Sequence, residues 1–185
     1  MRKIHIQRGD LLLSQPFMLD GNFRRSVVYL TELNLEGAIG FIINRPMDID
    51  IDQLIPDFPE FSVPAYFGGP VSTDTIHYVH RVGELLEDSM QVTKDLYWGG
   101  NFEQLKALIN QKIITEADIR FYVGYSGWTA GQLEAEIKMG SWLKGEMDQN
   151  YIFNTESGDL WKKVVAEKGD VYNVIANISG KDLLN

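Results

Sequence analysis

Short runs of apolar residues, separated by glycine, proline and charged residues, predict β-strands along much of the chain. The first run, at 11–13, ends before Pro16, and the second, at 26–33, is rich in β-branched and aromatic residues. A turn at 36–37 and a third run at 38–43 complete a predicted β-hairpin. Because the third run is apolar at both alternating positions, we expect it to be buried on both faces of a sheet.

Two later stretches also have the pattern of strands. The segment 75–80 alternates between apolar and polar residues, which predicts a strand with His77 and His80 on opposite faces. The segment 118–128 predicts another strand, and it runs directly into a helical pattern. We therefore expect strands and helices to share one structural unit.

Helices are predicted where apolar residues recur three and four positions apart. The three apolar faces comprise Phe102, Leu105, Leu108 and Ile109; Leu160, Trp161, Val164 and Val165; and Val171, Val174, Ile175 and Ile178. An acidic segment at 47–61 is interrupted by two prolines, so we expect a surface excursion there, with one helical turn at 51–54.

Ser126 raises the question of a catalytic nucleophile, because it lies in the motif Gly-Tyr-Ser-Gly-Trp. Serine hydrolases use Gly-x-Ser-x-Gly, in which small residues permit a tight turn. Here the second glycine comes one place early, and Trp128 fills a position that must be small. The three histidines of the chain precede Ser126, whereas the base follows the serine in α/β-hydrolases. The spacing argues against a nucleophilic serine, although other triad orders exist.

The same motif is better explained as a junction between a strand and a helix. Gly124 and Gly127 allow a sharp turn, and Thr129 with Gln132 has the spacing of a capping box. We expect Trp128 to fill the gap beneath this junction.

Composition narrows the classes of function. The chain has 185 residues, a formal net charge of −9 and no cysteine. The length favours one domain, and the absence of cysteine excludes disulfides, thiolate nucleophiles and cysteine-bound metals. No run of basic residues exceeds two, so direct nucleic-acid binding is disfavoured. No segment is apolar enough for a secretory signal or a membrane span, and we expect a cytoplasmic protein.

No metal site is predicted. His77 and His80 are expected on opposite faces of a strand, so they cannot bind one ion together. Asp48, Asp50 and Asp52 alternate, but they lack the glycine and the terminal glutamate of a calcium loop. The pattern likewise indicates no cofactor.

Four motifs occur in the order typical of the AlgH/YqgE family of poorly characterised bacterial proteins, which the chain resembles over most of its length: GDLLLSQPFMLDGNFRRSVVYL, EGAIGFIINRP, AYFGGPV and GYSGWTAGQLEAEI. The resemblance implies one compact α+β domain over residues 1–185, with a mixed, largely antiparallel sheet and packed helices. It is least clear in the helical part from about residue 158. His80 falls where the family usually has a histidine, but Leu33 replaces a histidine of the first hairpin, so chemistry assigned to that residue does not apply here.

The turns within the family-like motifs contain candidate binding residues, which we expect to converge on one edge. A histidine is a further candidate. They are Asn44, Arg45, Gly68, Gly69, Trp128 and His80. The guanidinium of Arg45 is suited to an anion, and paired glycines let a backbone approach a ligand. The alternative is that the glycines serve turns and that Arg45 pairs with a carboxylate.

Three hypotheses follow from the sequence. The first is a non-enzymatic binding or regulatory protein whose partner is a protein or a small anion. The second is a hydrolase-type enzyme that uses His80 or an acidic residue in an unrecognised arrangement, with catalytic residues otherwise unknown. The third, regulation at DNA, reflects the label of transcriptional regulator that some family members carry, and no helix-turn-helix spacing supports it. The sequence leaves the oligomeric state open.

Overall fold

The computed structural model describes residues 4–154 and 157–178, and within these ranges the chain forms ten strands and six helices. In chain order they are β1 (Leu11–Ser14), β2 (Val27–Asn34), β3 (Gly37–Ile42), β4 (Pro46–Asp50), α1 (Ile51–Leu54), β5 (Pro64–Phe67), β6 (Val71–His80), β7 (Met90–Thr93), β8 (Leu96–Trp98), α2 (Phe102–Asn110), β9 (Ile119–Thr129), α3 (Gln132–Lys138), β10 (Trp142–Gly145), α4 (Asn150–Phe153), α5 (Ser157–Ala166) and α6 (Asp170–Asn177).

The strands form one mixed sheet in the order β10-β1-β2-β3-β9-β6-β8-β7, with β5 added beside β9 and β4 beside β5. The pairing of β5 with β9 is parallel, and the other described pairings are antiparallel. The expected α+β class, with a single domain and a largely antiparallel sheet, is therefore confirmed. No helix among the described residues has both the length and the apolarity needed to cross a bilayer.

The predicted hairpin is confirmed, because β2 and β3 pair from Val28 with Ile42 to Asn34 with Gly37. Alternate residues of β3 enter two different cores. Phe41 packs with the helices α4 and α5, while Ile42 packs on the opposite face with α3. Burial on both faces explains why this strand is apolar at both alternating positions.

The sharp turn predicted at Gly124 and Gly127 is wrong, because β9 continues without interruption to Thr129. Gly124 has a φ of 64°, in the left-handed region that glycine enters without strain. Tyr122 and Tyr125, which are three positions apart, consequently pack against the same core. Gly124 thus shifts the alternation of β9 by one residue, and the second half of the strand pairs with β3.

Three hydrophobic clusters fill the two sides of the sheet. The largest lies beneath α4, α5 and α6, where the fully buried Trp161 donates a hydrogen bond of 3.0 Å from its indole to the carbonyl of Ser14. A second lies beneath α1 and α2, and a third beneath α3. The apolar face predicted for α2 is confirmed by the burial of Leu105 and Ile109.

Two predictions about the periphery need correction. The segment 47–61 is not a simple surface excursion: β4 pairs with β5, and Ile51 in the predicted helical turn is fully buried. In α6, Val171 and Val174 are 69% and 66% exposed, and Ala176 is buried instead. Helical spacing alone does not reveal which side of a helix the rest of the fold covers.

Candidate functional site

The described contacts show what each of the predicted site residues does locally. Arg45 lies over the Phe67 ring and Gly68 accepts a hydrogen bond from Ser126. Trp128 belongs to the cluster beneath α3, and His80 lies at the end of β6. The hydrogen bonds of each side chain determine what chemistry it can still perform.

Asn44 and Arg45 hold the chain segment that precedes β2. The Asn44 amide accepts a hydrogen bond of 2.9 Å from the amide of Val27 and donates one of 2.9 Å to the carbonyl of Arg25. The Arg45 guanidinium donates to the carbonyls of Asn22 and Arg24, at 2.7 and 3.2 Å. Burial lowers the pKa of Arg45 from its ordinary value. Both side chains therefore act on backbone from 17 to 23 residues away.

Gly68 and Gly69 serve the close approach of two strands. A Cβ atom on Gly68 would lie 2.4 Å from the carbonyl oxygen of Gly124, and one on Gly69 would lie 2.3 Å from the backbone of Tyr125. The Gly68 carbonyl accepts hydrogen bonds from the Ile42 amide at 2.9 Å and from the hydroxyl of Ser126 at 3.0 Å. The two glycines accommodate neighbouring backbone, and they leave no opening for a ligand at that point.

Ser126 is fully buried, and its hydroxyl donates its proton to the Gly68 carbonyl. Among the described residues no histidine has a hydrogen bond to it, which agrees with the sequence argument against a nucleophile. Its role is to connect β9 to the chain leaving β5.

Trp128 belongs to an aromatic cluster under α3, as expected. Its indole N–H and that of Trp142 both donate to Oε2 of Glu136, at 2.9 and 2.8 Å. The Phe23 ring lies against both indoles, with centroid distances of 6.3 Å to Trp128 and 5.4 Å to Trp142. The backbone amide of Thr129 donates to the side chain of Gln132 at 3.0 Å. The predicted capping box is nevertheless wrong, because the N-cap of α3 is Gly131 and Thr129 is the last residue of β9. This cluster fixes α3 to two strands.

His80 is fully buried, and its hydrogen bonds assign the neutral tautomer protonated at Nε2. Nε2 lies 2.8 Å from the carbonyl of Gly99, and Nδ1 accepts from the amide of Val82 at 3.3 Å. The hydroxyl of Ser89 lies 3.2 Å from Nε2, but it donates its proton to the Leu86 carbonyl at 2.7 Å. Burial lowers the pKa of His80, and the hydrogen bond to Gly99 opposes that effect.

His77 lies on the opposite face from His80, as predicted. Its ring contacts Phe41, Trp98 and Tyr125, with centroid distances of 5.3, 6.2 and 5.7 Å. Burial lowers its pKa as well. Among the described residues there is no group of three or more acidic or histidine side chains placed to hold a metal ion.

A feature that the sequence reasoning missed is the segment 15–25 between β1 and β2, called here the projecting loop. Besides the bonds from Asn44 and Arg45, the amides of Phe23 and Arg24 donate to the carbonyl of Asp20 at 3.1 and 2.8 Å. The Phe23 side chain anchors the loop in the aromatic cluster. The loop is therefore held at several points along its length.

The projecting loop nevertheless exposes large apolar side chains. Leu19 is 97% exposed and Phe17 is 49% exposed, while Arg24 is exposed and makes no side-chain hydrogen bond or ion pair among the described residues. The signal in the sequence was the run Pro-Phe-Met-Leu immediately before turn residues. Apolar side chains held outward on a fixed backbone mark a surface for contact with another molecule.

Two open grooves lie elsewhere. One of about 560 Å³ is lined by Arg81, Lys94 and Tyr97, among others, and one of about 570 Å³ lies between α2 and the segment 59–61. None of the six predicted site residues lines either groove.

Comparison with known proteins gives consistent matches. The family model described as AlgH-like matches residues 11–173. A UPF0301 protein of Chlorobaculum tepidum is 41% identical over 172 residues, which cover 93% of this chain and 92% of that protein. A UPF0301 protein of Bacteroides thetaiotaomicron is 37% identical over 166 residues, covering 89% of this chain and 84% of that protein. These names state no activity.

Solved structures agree with the fold. The solution structure of the AlgH protein from Pseudomonas aeruginosa matches with a TM-score of 0.73 and 28% identity, over 97% of this chain and 99% of that one. A crystal structure of a Corynebacterium diphtheriae protein matches with a TM-score of 0.77 and 19% identity, over 96% and 95% of the two chains. At that identity the second match shows the fold alone.

Proposed function

The chain belongs to the AlgH-like family, and on that premise we propose that it is a non-enzymatic binding protein with a regulatory role in the cytoplasm. Its partner is a protein that binds the projecting loop beside the Asn-Arg-Pro turn. The observation that carries this proposal is the 97% exposure of Leu19 on a loop held by Arg45, Asn44 and Phe23.

The exposure of Leu19 is informative because the backbone of the projecting loop is held by hydrogen bonds. An apolar side chain on a mobile loop moves between exposed and covered positions, and ordering it on binding costs free energy. The projecting loop is already ordered by its hydrogen bonds to Asn44 and Arg45. A partner can therefore bury Leu19 and Phe17 without first ordering the backbone, which is the situation that produces a binding hot spot.

A protein partner is favoured over a small anion at this turn. Two nitrogens of the Arg45 guanidinium already donate to carbonyls of the projecting loop, so the fork is not directed at an external anion. The exposed side chains of the loop include Leu19, the half-exposed Phe17, the anion of Asp20 and the cation of Arg24. Such a combination suits a surface with an apolar pocket and a rim that carries both signs of charge.

The geometry of His80 supports a non-enzymatic role. A general base needs a free nitrogen directed at the proton it removes, whereas one nitrogen of His80 faces the Gly99 carbonyl and the other accepts from Val82. Ser89 directs its proton to the Leu86 carbonyl, so the pair is not arranged as an activated nucleophile. His80 and Ser89 therefore lack the arrangement of a hydrolytic pair.

Direct action on DNA is also not proposed. The net charge of −9 opposes binding to a polyanion. A regulatory role of this chain is proposed to act through its protein partner.

The test is affinity capture from a lysate with three tagged proteins: the wild type, Leu19→Asp and Leu35→Asp. Leu35 is a matched control, because it is also 97% exposed but lies in the turn between β2 and β3. We expect the wild type and Leu35→Asp to retain the same proteins in equal amounts, and Leu19→Asp to lose at least one of them about tenfold or more. Equal retention by all three proteins would contradict the proposal.

A further inference from the structure

The helix α6 packs chiefly against its neighbour α5, and little of it is buried. Ala176 is the buried residue of this helix, at 1% exposure, and Tyr172 packs against the largest hydrophobic cluster. Val171 and Val174 are instead mostly exposed. A helix with so few buried apolar contacts belongs to the part of a fold that opens locally at low cost in free energy, so single additional contacts matter for its position.

One such contact comes from the projecting loop. The last turn of α6 contains no basic residue of its own, although its carbonyl groups lack partners within the helix and a cation stabilises this end. The guanidinium of Arg25 donates a hydrogen bond of 2.5 Å to the carbonyl of Ile178, the C-cap residue of α6. Among the described residues this is the only hydrogen bond that joins α6 or its C-cap to the part of the chain before α5.

The backbone of Arg25 adopts a conformation that needs support. Its φ of 52° lies in the left-handed region, which is unfavourable for a residue with a Cβ atom. The carbonyl of Arg25 accepts a hydrogen bond of 2.9 Å from Asn44, and its guanidinium lies 5.1 Å from the centroid of the Trp161 ring on α5. Contacts with Asn44, α5 and α6 therefore hold the last residue of the projecting loop in place.

We propose that α6 and the projecting loop open together, with Arg25 as the link, so that the position of α6 regulates the order of the loop. The inference rests on the proposed function, because it supplies a means of regulation for the same contact surface. When α6 moves away from α5, Arg25 loses its acceptor at Ile178. The left-handed conformation of Arg25 then loses support, and the preceding residues of the loop loosen.

This coupling acts in both directions, as thermodynamic linkage requires. A partner that buries Leu19 on the ordered loop also stabilises the packed position of α6. Conversely, a molecule that displaces α6 weakens binding at the loop, although it contacts neither Leu19 nor Phe17. The mostly exposed helix α6 is thus the element through which binding at the loop is adjusted.

The other anchors of the loop limit the size of the effect. Asn44, Arg45 and Phe23 hold the loop through contacts that do not involve α6. Displacement of α6 therefore loosens the loop without disordering it completely. We expect a change of about fivefold in amide exchange, near the lower end of coupling between two sites in proteins.

The test is native-state amide hydrogen exchange of the full-length protein. It follows the backbone amides of Phe23 and Arg24, called here the loop amides, which donate to the carbonyl of Asp20. Ala176→Asp places an unpaired carboxylate at a buried position and displaces α6. Val174→Asp is the matched control, because it places the same side chain at a position of the same helix that is 66% exposed.

We expect the amides of α6 and the loop amides to exchange about fivefold faster in Ala176→Asp and at the wild-type rate in Val174→Asp. Protected amides of β9 show that each variant is folded. If Ala176→Asp also loosens β9, Ala176→Gly makes the same comparison with a milder change, because glycine removes the buried methyl group and weakens the helix.

Arg25→Met tests whether the link itself carries the coupling. Methionine keeps an unbranched side chain over Trp161, but it cannot donate to the carbonyl of Ile178. Alone, this substitution should accelerate exchange about fivefold both in α6 and at the loop amides. Adding Ala176→Asp to Arg25→Met should then produce little further acceleration at the loop amides, because the link is already absent.

Three results would overturn the inference. The first is equal exchange of the loop amides in the wild type and in the variants at Ala176. The second is an Arg25→Met protein in which α6 exchanges at the wild-type rate. The third is the same acceleration of the loop amides by Ala176→Asp in the presence and absence of Arg25. Each leaves the proposed function standing, which fails separately when Leu19→Asp captures the same proteins as Leu35→Asp.

Discussion

At the scale of single residues, the side chains that most resemble catalytic or binding groups contact backbone instead. Arg45 donates to two carbonyls of the projecting loop, Asn44 bridges Val27 and Arg25, and His80 contacts Gly99 and Val82. Buried backbone groups need partners, and these polar side chains supply them where the chain leaves a strand.

His80 gives a prediction about pH. Its pKa in the folded protein is lowered by burial, so protonation favours the unfolded chain. The stabilising effect of the neutral ring is complete above the unfolded pKa, and it is lost as the pH falls below about 6.5 toward the folded pKa. We expect the melting temperature of the wild type to fall between pH 7.5 and 5, and the fall to be smaller in His80→Gln, whose amide keeps a donor near Gly99.

His77 provides the control for this experiment, because burial also lowers its pKa. Replacing His77 should remove only its own contribution to the pH dependence of the melting temperature and leave the contribution of His80. His80 has aromatic and hydroxyl neighbours in Tyr78, Tyr97 and Ser89, and no charged side chain contacts its ring among the described residues. A melting temperature with the same pH dependence in the wild type and His80→Gln would contradict the assignment.

At the scale of elements, α3 is attached to the sheet by one carboxylate. Glu136 accepts both indole hydrogen bonds, from Trp128 on β9 and Trp142 on β10, and its other oxygen accepts from Gln132 at 2.9 Å. The apolar contacts of Leu133 add to this attachment. The helix and two strands that are distant in the sheet order thus meet at one side chain.

Removal of that carboxylate should destabilise the protein. Glu136→Ala leaves two indole N–H groups without their acceptor, and we expect a loss of about 2–4 kcal/mol in the free energy of unfolding. Glu134→Ala is the matched control, because Glu134 is exposed on the same helix and its side chain forms no ion pair or hydrogen bond among the described residues. Its change should stay within about 0.5 kcal/mol. Urea denaturation measures both, and equal losses would show that the indole contacts carry no particular weight.

The elements themselves were predictable to the extent that they depend on local pattern. The hairpin of β2 and β3 and the helix α2 have clear periodicities, and both were predicted. The continuation of β9 past Gly124 was not, because it depends on pairing with β3, from Gly40 with Ser126 to Gly37 with Thr129, which are far apart in the chain. The exposure of Val171 depends likewise on where the sheet lies relative to α6.

The candidate site was predictable only in part, for the same reason. The turn motifs drew attention to Asn44, Arg45 and the two glycines, whose contacts in the structure are with segments distant in sequence. No local pattern distinguishes an arginine that binds an anion from one that binds carbonyls of another loop. The exposed Leu19 was missed because an apolar residue among turn residues has no periodicity to assess.

At the scale of the whole molecule, one sheet with helices on both faces supports a rigid loop at its margin. The projecting loop is bonded to the chain leaving β3 and packs through Phe23 on the cluster beneath α3, so the fold as a whole determines the position of Leu19. The proposed function depends on that loop being fixed before any partner arrives.

Amide hydrogen exchange measured across the whole chain tests this claim most directly. We predict that the amides of Asn22, Phe23 and Arg24, which donate hydrogen bonds within the loop, exchange about tenfold or more slowly than in an unstructured peptide. The same amides should lose this protection in Arg45→Ala, while the amides of β2 remain protected. Exchange of the loop in the wild type at the rate of an unstructured peptide would contradict the account.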